Sequence, residues 1–203
     1  MVDYELLRKT YDRIAHDYAE DHKDDTWGYE LIDEVLALIP GVGTVLDVGC
    51  GFGRDCAYIQ SKGHIAVGID FSEGMIREAE THHPTIRFLV MDMRDFRFSP
   101  ESFDVVIARS SLLHIPKFGV PAVLKEMAKI LKPGGLVYCA VKDGHGEEWV
   151  TENDYGYPYQ RFFAYFREDE MISLLEQAGL TVEKHKRTRQ GDSIRLQFIA
   201  RKR

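Results

Sequence analysis

A doubly wound α/β fold, one mostly parallel sheet with helices on both faces, is predicted by three observations. Short β-branched apolar runs alternate with helical segments from residue 44 onward, the order that builds parallel β-α-β units. Glycines stand at alternate positions, Gly49, Gly51 and Gly53, directly after the first of these runs, where sheets of this kind bind ligands. Near the end, "TVEKHKRTR" and "SIRLQFIAR" flank "QGD", so two strands pair antiparallel through a tight turn at one edge.

Each element follows from its own pattern. Residues 3–20 carry Leu6, Leu7, Tyr11, Ile14, Ala15 and Tyr18 at helical spacing, which predicts an amphipathic helix. A second helix over 28–38 ends at Pro40-Gly41, a stop signal. "TVLDVG" is the first strand, and "RDCAYIQSKG" the helix after it, closing on Gly63. "HIAVGID" is a strand, and "SEGMIREAETHH" a helix that Ser72 caps. "IRFLVMD" and "FDVVIARS" are two more strands. "VPAVLKEMAKILKPGG" is a helix with Pro121 near its start and a Pro-Gly-Gly stop, and "LVYCAV" is strand five. "EDEMISLLEQAGL" is a helix closed by Gly179. Residues 143–166, polar and then aromatic, read as an insertion, and connections that long are functional or disordered.

Composition narrows the function classes. At 203 residues the chain is expected to be one domain. The N-terminal stretch lacks a signal-type apolar core, and no run reaches the roughly 18–20 apolar residues of a membrane span. The three cysteines, Cys50, Cys56 and Cys139, lack ligand spacing, so a reduced, cytoplasmic protein without a structural metal is expected. A net charge of −7 opposes non-specific attraction to nucleic acid or anionic membrane.

The glycine corner points to a nucleoside. Asp70 ends the second strand, where a carboxylate accepts both hydroxyls of a ribose. Asp92 ends the third strand, where a carboxylate meets an adenine amino group. The dinucleotide fingerprint is G-x-G-x-x-G; here it is D-x-G-x-G-x-G. Asp47 in that position repels a pyrophosphate and suits an ammonium or sulfonium group. This disfavours a nicotinamide-dependent oxidoreductase.

"VLDVGCGFGRD", "GIDFSEGMI", "VMDMRDF", "FDVVIARSSLLHI" and "LKPGG" resemble, in order and spacing, the motifs of class I S-adenosylmethionine-dependent methyltransferases. The likeness covers roughly residues 44–140, and "YDRIAHDYAE" and "LLEQAGL" extend it. The resemblance implies a Rossmann-like seven-stranded sheet, ordered 3-2-1-4-5-7-6 with strand seven antiparallel. It implies S-adenosyl-L-methionine as cofactor and S-adenosyl-L-homocysteine as product. Asp47, Gly49, Gly51 and Gly53 would meet the methionine moiety. Asp70 would bind the ribose, with Phe71 and Met75 beside it, and Asp92 and Met93 would frame the adenine. Arg109 and Ser110 would face the methionine part, and Tyr11 and Tyr18 would close over the cofactor. His114 is the candidate general base, with a substrate-orienting or structural role as alternatives.

The resulting expectation is a single methyltransferase domain over 1–203, with 1–43 as a helical lid and 143–166 as a substrate cap. Tyr157, Arg161 and Phe163 of the cap are candidate substrate contacts. The acceptor is a small molecule methylated on oxygen, nitrogen or another nucleophile, by a monomer or homodimer. A non-catalytic cofactor-binding protein is the alternative, as is an enzyme acting on protein or on RNA through the basic run near Lys186.

Overall fold

The computed structural model describes residues 2–203. The elements run α1 (Tyr4–His22), α2 (Tyr29–Ala37), β1 (Thr44–Val48), α3 (Arg54–Ser61), β2 (Ile65–Asp70), α4 (Glu73–His82), β3 (Arg87–Val90) and β4 (Phe103–Arg109). They continue with α5 (Val120–Ile130), β5 (Leu131–Asp143), β6 (Glu147–Glu152), β7 (Tyr159–Phe166), α6 (Glu168–Gln177), β8 (Leu180–Gln190) and β9 (Ser193–Lys202).

The central order is β3-β2-β1-β4-β5, all parallel, continued by β9 antiparallel to β5 and β8 antiparallel to β9. That is the expected 3-2-1-4-5-7-6 path, with β9 in the place of strand seven. The sheet has nine strands, not seven. The surplus pair is the 143–166 segment, which is a β-hairpin and not a loop: β6 pairs with β7 from Glu147↔Ala164 to Glu152↔Tyr159. Lys142 of β5 is paired with Arg195 of β9 on one edge and with Tyr165 of β7 on the other. The hairpin therefore continues the β4 side of β5, past the point where Arg109 pairs with Ala140. This places it over the carboxyl ends of the strands.

Strand alternation divides the interior. Leu46 and Val48 of β1 join the core beneath α5 and α6, whereas Val45 joins the core beneath α2, α3 and α4. Helix α1 adds Leu7 to the core beneath α5 and α6 and packs Ile14 and Ala15 in a separate cluster with Met75 and Tyr159. Its apolar stripe of Leu7, Ile14, Ala15 and Ala19 is buried, and Asp12 fastens its outer side to α4. The Asp12 carboxylate accepts from Ser72 Oγ (2.7 Å) and Gly74 N (2.9 Å). Ser72 is also the N-cap of α4, accepting from Met75 N.

Gly74 is what allows this approach. A Cβ there would lie 2.7 Å from the Asp12 carbonyl oxygen and 2.8 Å from its Cα, backbone atoms that move only if α1 moves. In an isolated helix Gly→Ala is favourable by about 1 kcal/mol. Gly74→Ala should instead loosen α1 selectively: amide exchange across Tyr4–His22 should speed up at least tenfold while β1 and β4 stay protected. Unchanged exchange in α1 would refute the close-approach account.

Candidate functional site

Two cavities lie at the carboxyl ends of the strands, one on each side of a shared wall. The first, about 100 Å³, is lined by Gly49 and Gly51 after β1, Asp70 and Phe71 after β2, Met91 to Arg94 after β3, and Arg109 to Ser111 after β4. Tyr4, Leu7, Tyr11 and Tyr18 of α1 roof it, with Met75, His114 and Ile115 at its edges.

Asp70 is buried, with Oδ2 accepting from Gly51 N (3.0 Å) and Oδ1 from Ser72 N (2.9 Å). Burial pushes its carboxyl up to about 6 against the stabilising pull of these amides. Gly49 has φ +71°, and a Cβ there would lie 2.4 Å from Ser111 Cβ. Gly51 has φ +55°, and a Cβ would meet nothing nearer than Met75 Sδ at 4.0 Å; its bare backbone faces the cavity. Ser111 Oγ is buried on the wall without a hydrogen-bond partner among the described residues. Such an orphan costs about 1–3 kcal/mol unless a ligand group meets it. A buried carboxylate, a bare glycine backbone and an unpaired hydroxyl together suit a nucleoside with a polar tail.

Of the sequence-predicted cofactor residues, Tyr11, Tyr18, Gly49, Gly51, Asp70, Phe71, Met75, Asp92, Met93, Arg109 and Ser110 meet around this cavity. Asp47 and Gly53 do not. Asp47 shares the β1 face of Val45, so its side chain turns toward α3, where it accepts from Cys56 Sγ (3.6 Å). Burial and the neighbouring Asp55 charge raise its carboxyl pKa. Gly53 caps α3 at φ +83°, and a Cβ would strike the Phe88 ring at 2.6 Å; packing explains it. Asp92 reaches the wall already paired with Arg94, which lies 3.3 Å over the Tyr4 ring. Sequence reading missed Ser111, Arg94 and Tyr4; the first two follow strand ends, which was the available signal.

The second cavity, about 150 Å³, shares Tyr11, Tyr18, Arg109, Ser110 and His114 with the first. Its other walls include Trp27, Arg54, Lys142, Arg161, Phe163 and Arg195. Arg161 and Phe163, expected from the sequence, line it; Tyr157 does not. Tyr157 donates to Asp17 and packs under Arg13, 4.2 Å from the guanidinium, so it ties the hairpin to α1. Arg109 bridges to Asp55 and to the Trp27 carbonyl. Ser110 holds φ +62°, a left-handed conformation costing about 1–3 kcal/mol outside glycine.

His114 joins both cavities. Its Nδ1 lies 2.7 Å from the Phe162 carbonyl oxygen and its Nε2 2.7 Å from the Tyr11 hydroxyl. A carbonyl only accepts, so Nδ1 carries the proton and Nε2 accepts from Tyr11. Burial pushes the imidazole down to about 3, and burial raises Tyr11 above the usual phenol range. At neutral pH both groups are uncharged. A role as the direct proton acceptor would require breaking the Tyr11 bond and charging a site that resists charge.

A family model described as a methyltransferase domain matches residues 16–185. The chain is 30% identical over 152 residues to a demethylmenaquinone methyltransferase of Beutenbergia cavernae, covering 66% of this chain and 62% of that one. It is 38% identical over 127 residues to phosphoethanolamine N-methyltransferase 1 of Zea mays, covering 58% of this chain and 25% of the relative. The chain thus spans between about a quarter and three fifths of these curated relatives. Its fold is similar to that of the Burkholderia thailandensis 1,6-didemethyltoxoflavin-N1-methyltransferase, solved with 1,6-didemethyltoxoflavin and S-adenosylhomocysteine. That likeness has a TM-score of 0.78 at 22% identity, over 98% of this chain and 88% of the other.

The His114 geometry makes a pH prediction. The folded-state pKa lies below the unfolded value of about 6.5, so the unfolded state binds the extra proton. The contribution of His114 to stability should be complete above pH 6.5 and decline as pH falls toward 3. Imidazole nitrogen shifts should report a neutral, Nδ1-protonated ring at pH 6; an imidazolium there would refute the assignment.

Proposed function

The chain belongs to the class I S-adenosylmethionine-dependent methyltransferase family, and from that premise we propose that it moves a methyl group from S-adenosylmethionine to a nucleophilic atom of a small molecule. The observation that carries the proposal is the pair of cavities sharing Tyr11, Tyr18, Arg109, Ser110 and His114 as a common wall. Group transfer needs donor and acceptor on opposite sides of one junction, and positioning of that kind supplies roughly 7–11 kcal/mol.

S-adenosylmethionine, when bound, supplies a methyl group already activated on a sulfonium. In this reading the first cavity holds it. Asp70 accepts the ribose hydroxyls, and the bare backbone of Gly49 and Gly51 admits the methionine part beside Ser110 and Ser111. Phe71, Met75 and Met93 supply apolar contact, and Asp92 stands at the adenine edge. Helix α1 and the β6–β7 hairpin act as lid and substrate cap. They exclude water, with Tyr11 held over the junction by His114. The dyad is neutral, so its role is to orient Tyr11 rather than to take a substrate proton. Arg161 and Phe163 belong to the acceptor side, and Tyr157 belongs to the hinge between lid and cap. Support for a small acceptor comes from the modest size of the second cavity, about 150 Å³. Ion pairs on the basic edge strand, Lys184–Glu34 (2.6 Å) and Lys186–Glu30 (2.7 Å), weaken the case for an RNA strip.

Methyl-labelled cofactor incubated with a low-molecular-weight metabolite extract should yield a labelled product. Label found only in macromolecules would overturn the small-acceptor reading. Asp70→Ala removes bonds to a charged acceptor, worth about 1.5–3 kcal/mol each, so calorimetry should show at least a tenfold loss of S-adenosylhomocysteine affinity. Equal affinity would remove Asp70 from the ribose site. Saturating S-adenosylhomocysteine should also slow amide exchange across Tyr4–His22 if α1 is the lid.

A further inference from the structure

The charges of the second cavity do not balance. Arg54 is paired with Asp25 and Asp55, Arg109 with Asp55, and Arg161 with Glu152. Lys142 and Arg195, which line the same cavity, have no carboxylate partner among the described residues. Lys142 Nζ rests 3.5 Å from the Phe163 ring centroid. Arg195 gives Nε to Gln190 (3.0 Å), and its Nη1 is buried with no acceptor.

The sheet forces these two cations together. Lys142 and Arg195 are direct cross-strand partners in the antiparallel β5–β9 pair. Side chains in that relation share a face with Cβ atoms about 4.5–5.5 Å apart, and like charges there are destabilising. Burial and the nearby Arg195 and Arg161 charges push Lys142 down to about 8. Burial likewise lowers Arg195, and the Arg161 and Arg109 charges add to that effect. A fold selected for stability alone has no use for an opposed, half-buried pair of cations. An anion bound between them would supply the missing acceptor and remove the repulsion.

We propose that Lys142 and Arg195 form an anion clamp for the methyl acceptor, which therefore carries a phosphate or carboxylate group. This rests on the methyltransferase reading and names the substrate class of its acceptor site. The clamp lies at the β5–β9 end of the cavity, and the junction with the first cavity is at Tyr11, Ser110 and His114. An acceptor held by its anionic end at Lys142 and Arg195 presents its other end to the methyl donor. Phe163 and Trp27 flank the path, so a short apolar or aromatic spacer between the two ends fits the walls.

The test uses inorganic phosphate and malonate as probes, with chloride balancing ionic strength, and reads thermal melting of the whole protein. Either probe should raise the wild-type Tm by about 3 °C or more at concentrations well above its Kd. Phosphate acting alone assigns a phosphate ester, and malonate acting alone assigns a carboxylate. Lys142→Met and Arg195→Met should melt in chloride at or above the wild-type temperature, because each removes the repulsion, and neither should respond to the probes. Arg195→Lys, which retains the charge, should keep a response and guards against loss of folding in the Met variants. No rise in the wild type beyond chloride, or an undiminished rise in the Met variants, would overturn the clamp. S-adenosylhomocysteine calorimetry on the same samples separates the two ideas. Binding without a probe response refutes only the clamp, whereas a clamp-dependent response without binding refutes the methyltransferase reading.

Discussion

The imidazole of His114 is the joint on which both cavities depend. It sits in the turn after β4, and its two nitrogens reach α1 through Tyr11 and the hairpin through the Phe162 carbonyl. The three elements are remote in sequence, and His114 joins them through two hydrogen bonds of its ring. The bond directions are compatible with one neutral tautomer only, so the joint works because burial keeps the ring uncharged. A charged imidazolium would confront Lys142, Arg161 and Arg195, all of which oppose its protonation. The cationic character of the second cavity therefore reinforces the neutrality that burial imposes on its roof.

Helix α1 and the β6–β7 hairpin share a second set of fastenings. Tyr157 to Asp17 and Arg13 to the Pro158 carbonyl (3.4 Å) join the hairpin tip to α1. Asp12 joins α1 to α4. These polar contacts at the rim and the neutral Tyr11–His114 bond at the centre supplement the buried apolar faces of α1 and the hairpin. Polar contacts at partly exposed sites exchange with water at little net cost, about 0.5–1.5 kcal/mol each. Moving the roof also uncovers Leu7 and Phe162, which belong to the core beneath α5 and α6.

Much of this architecture was legible in the sequence. The short apolar runs "TVLDVG" and "HIAVGID", the caps at Ser72 and Gly179, and the "QGD" turn all act locally, and the structure follows them. The 143–166 hairpin was hidden because β6 has only partly buried or exposed residues, so no alternation of burial marks it, and the aromatics after Pro158 read as a wall rather than a strand. Asp47 shows a reading that stopped one step early. Its motif position pointed to the ligand, but alternation from Val45 already assigned its side chain to the other face. The glycines divide in the same way: Gly49 and Gly51 serve the cavity, while Gly53 serves Phe88. Lys142 and Arg195 were beyond local reasoning, since their opposition exists only once β9 is set in register against β5.

That division locates where function is free to vary. The first cavity takes Gly49, Gly51, Asp70 and Ser111 from strand ends whose order the parallel sheet dictates, and Tyr4, Leu7, Tyr11 and Tyr18 from α1. The second cavity draws on α1, the hairpin and the start of β9 as well as on Arg109 and Lys142 at the ends of β4 and β5. Changing its chemistry asks for side-chain replacement at strand positions such as Lys142, Arg161 and Arg195. Two of these cations lack a carboxylate partner among the described residues, and Ser110 holds a strained backbone at the junction. Unbalanced charge and strain thus gather at one junction of an otherwise well-paired fold.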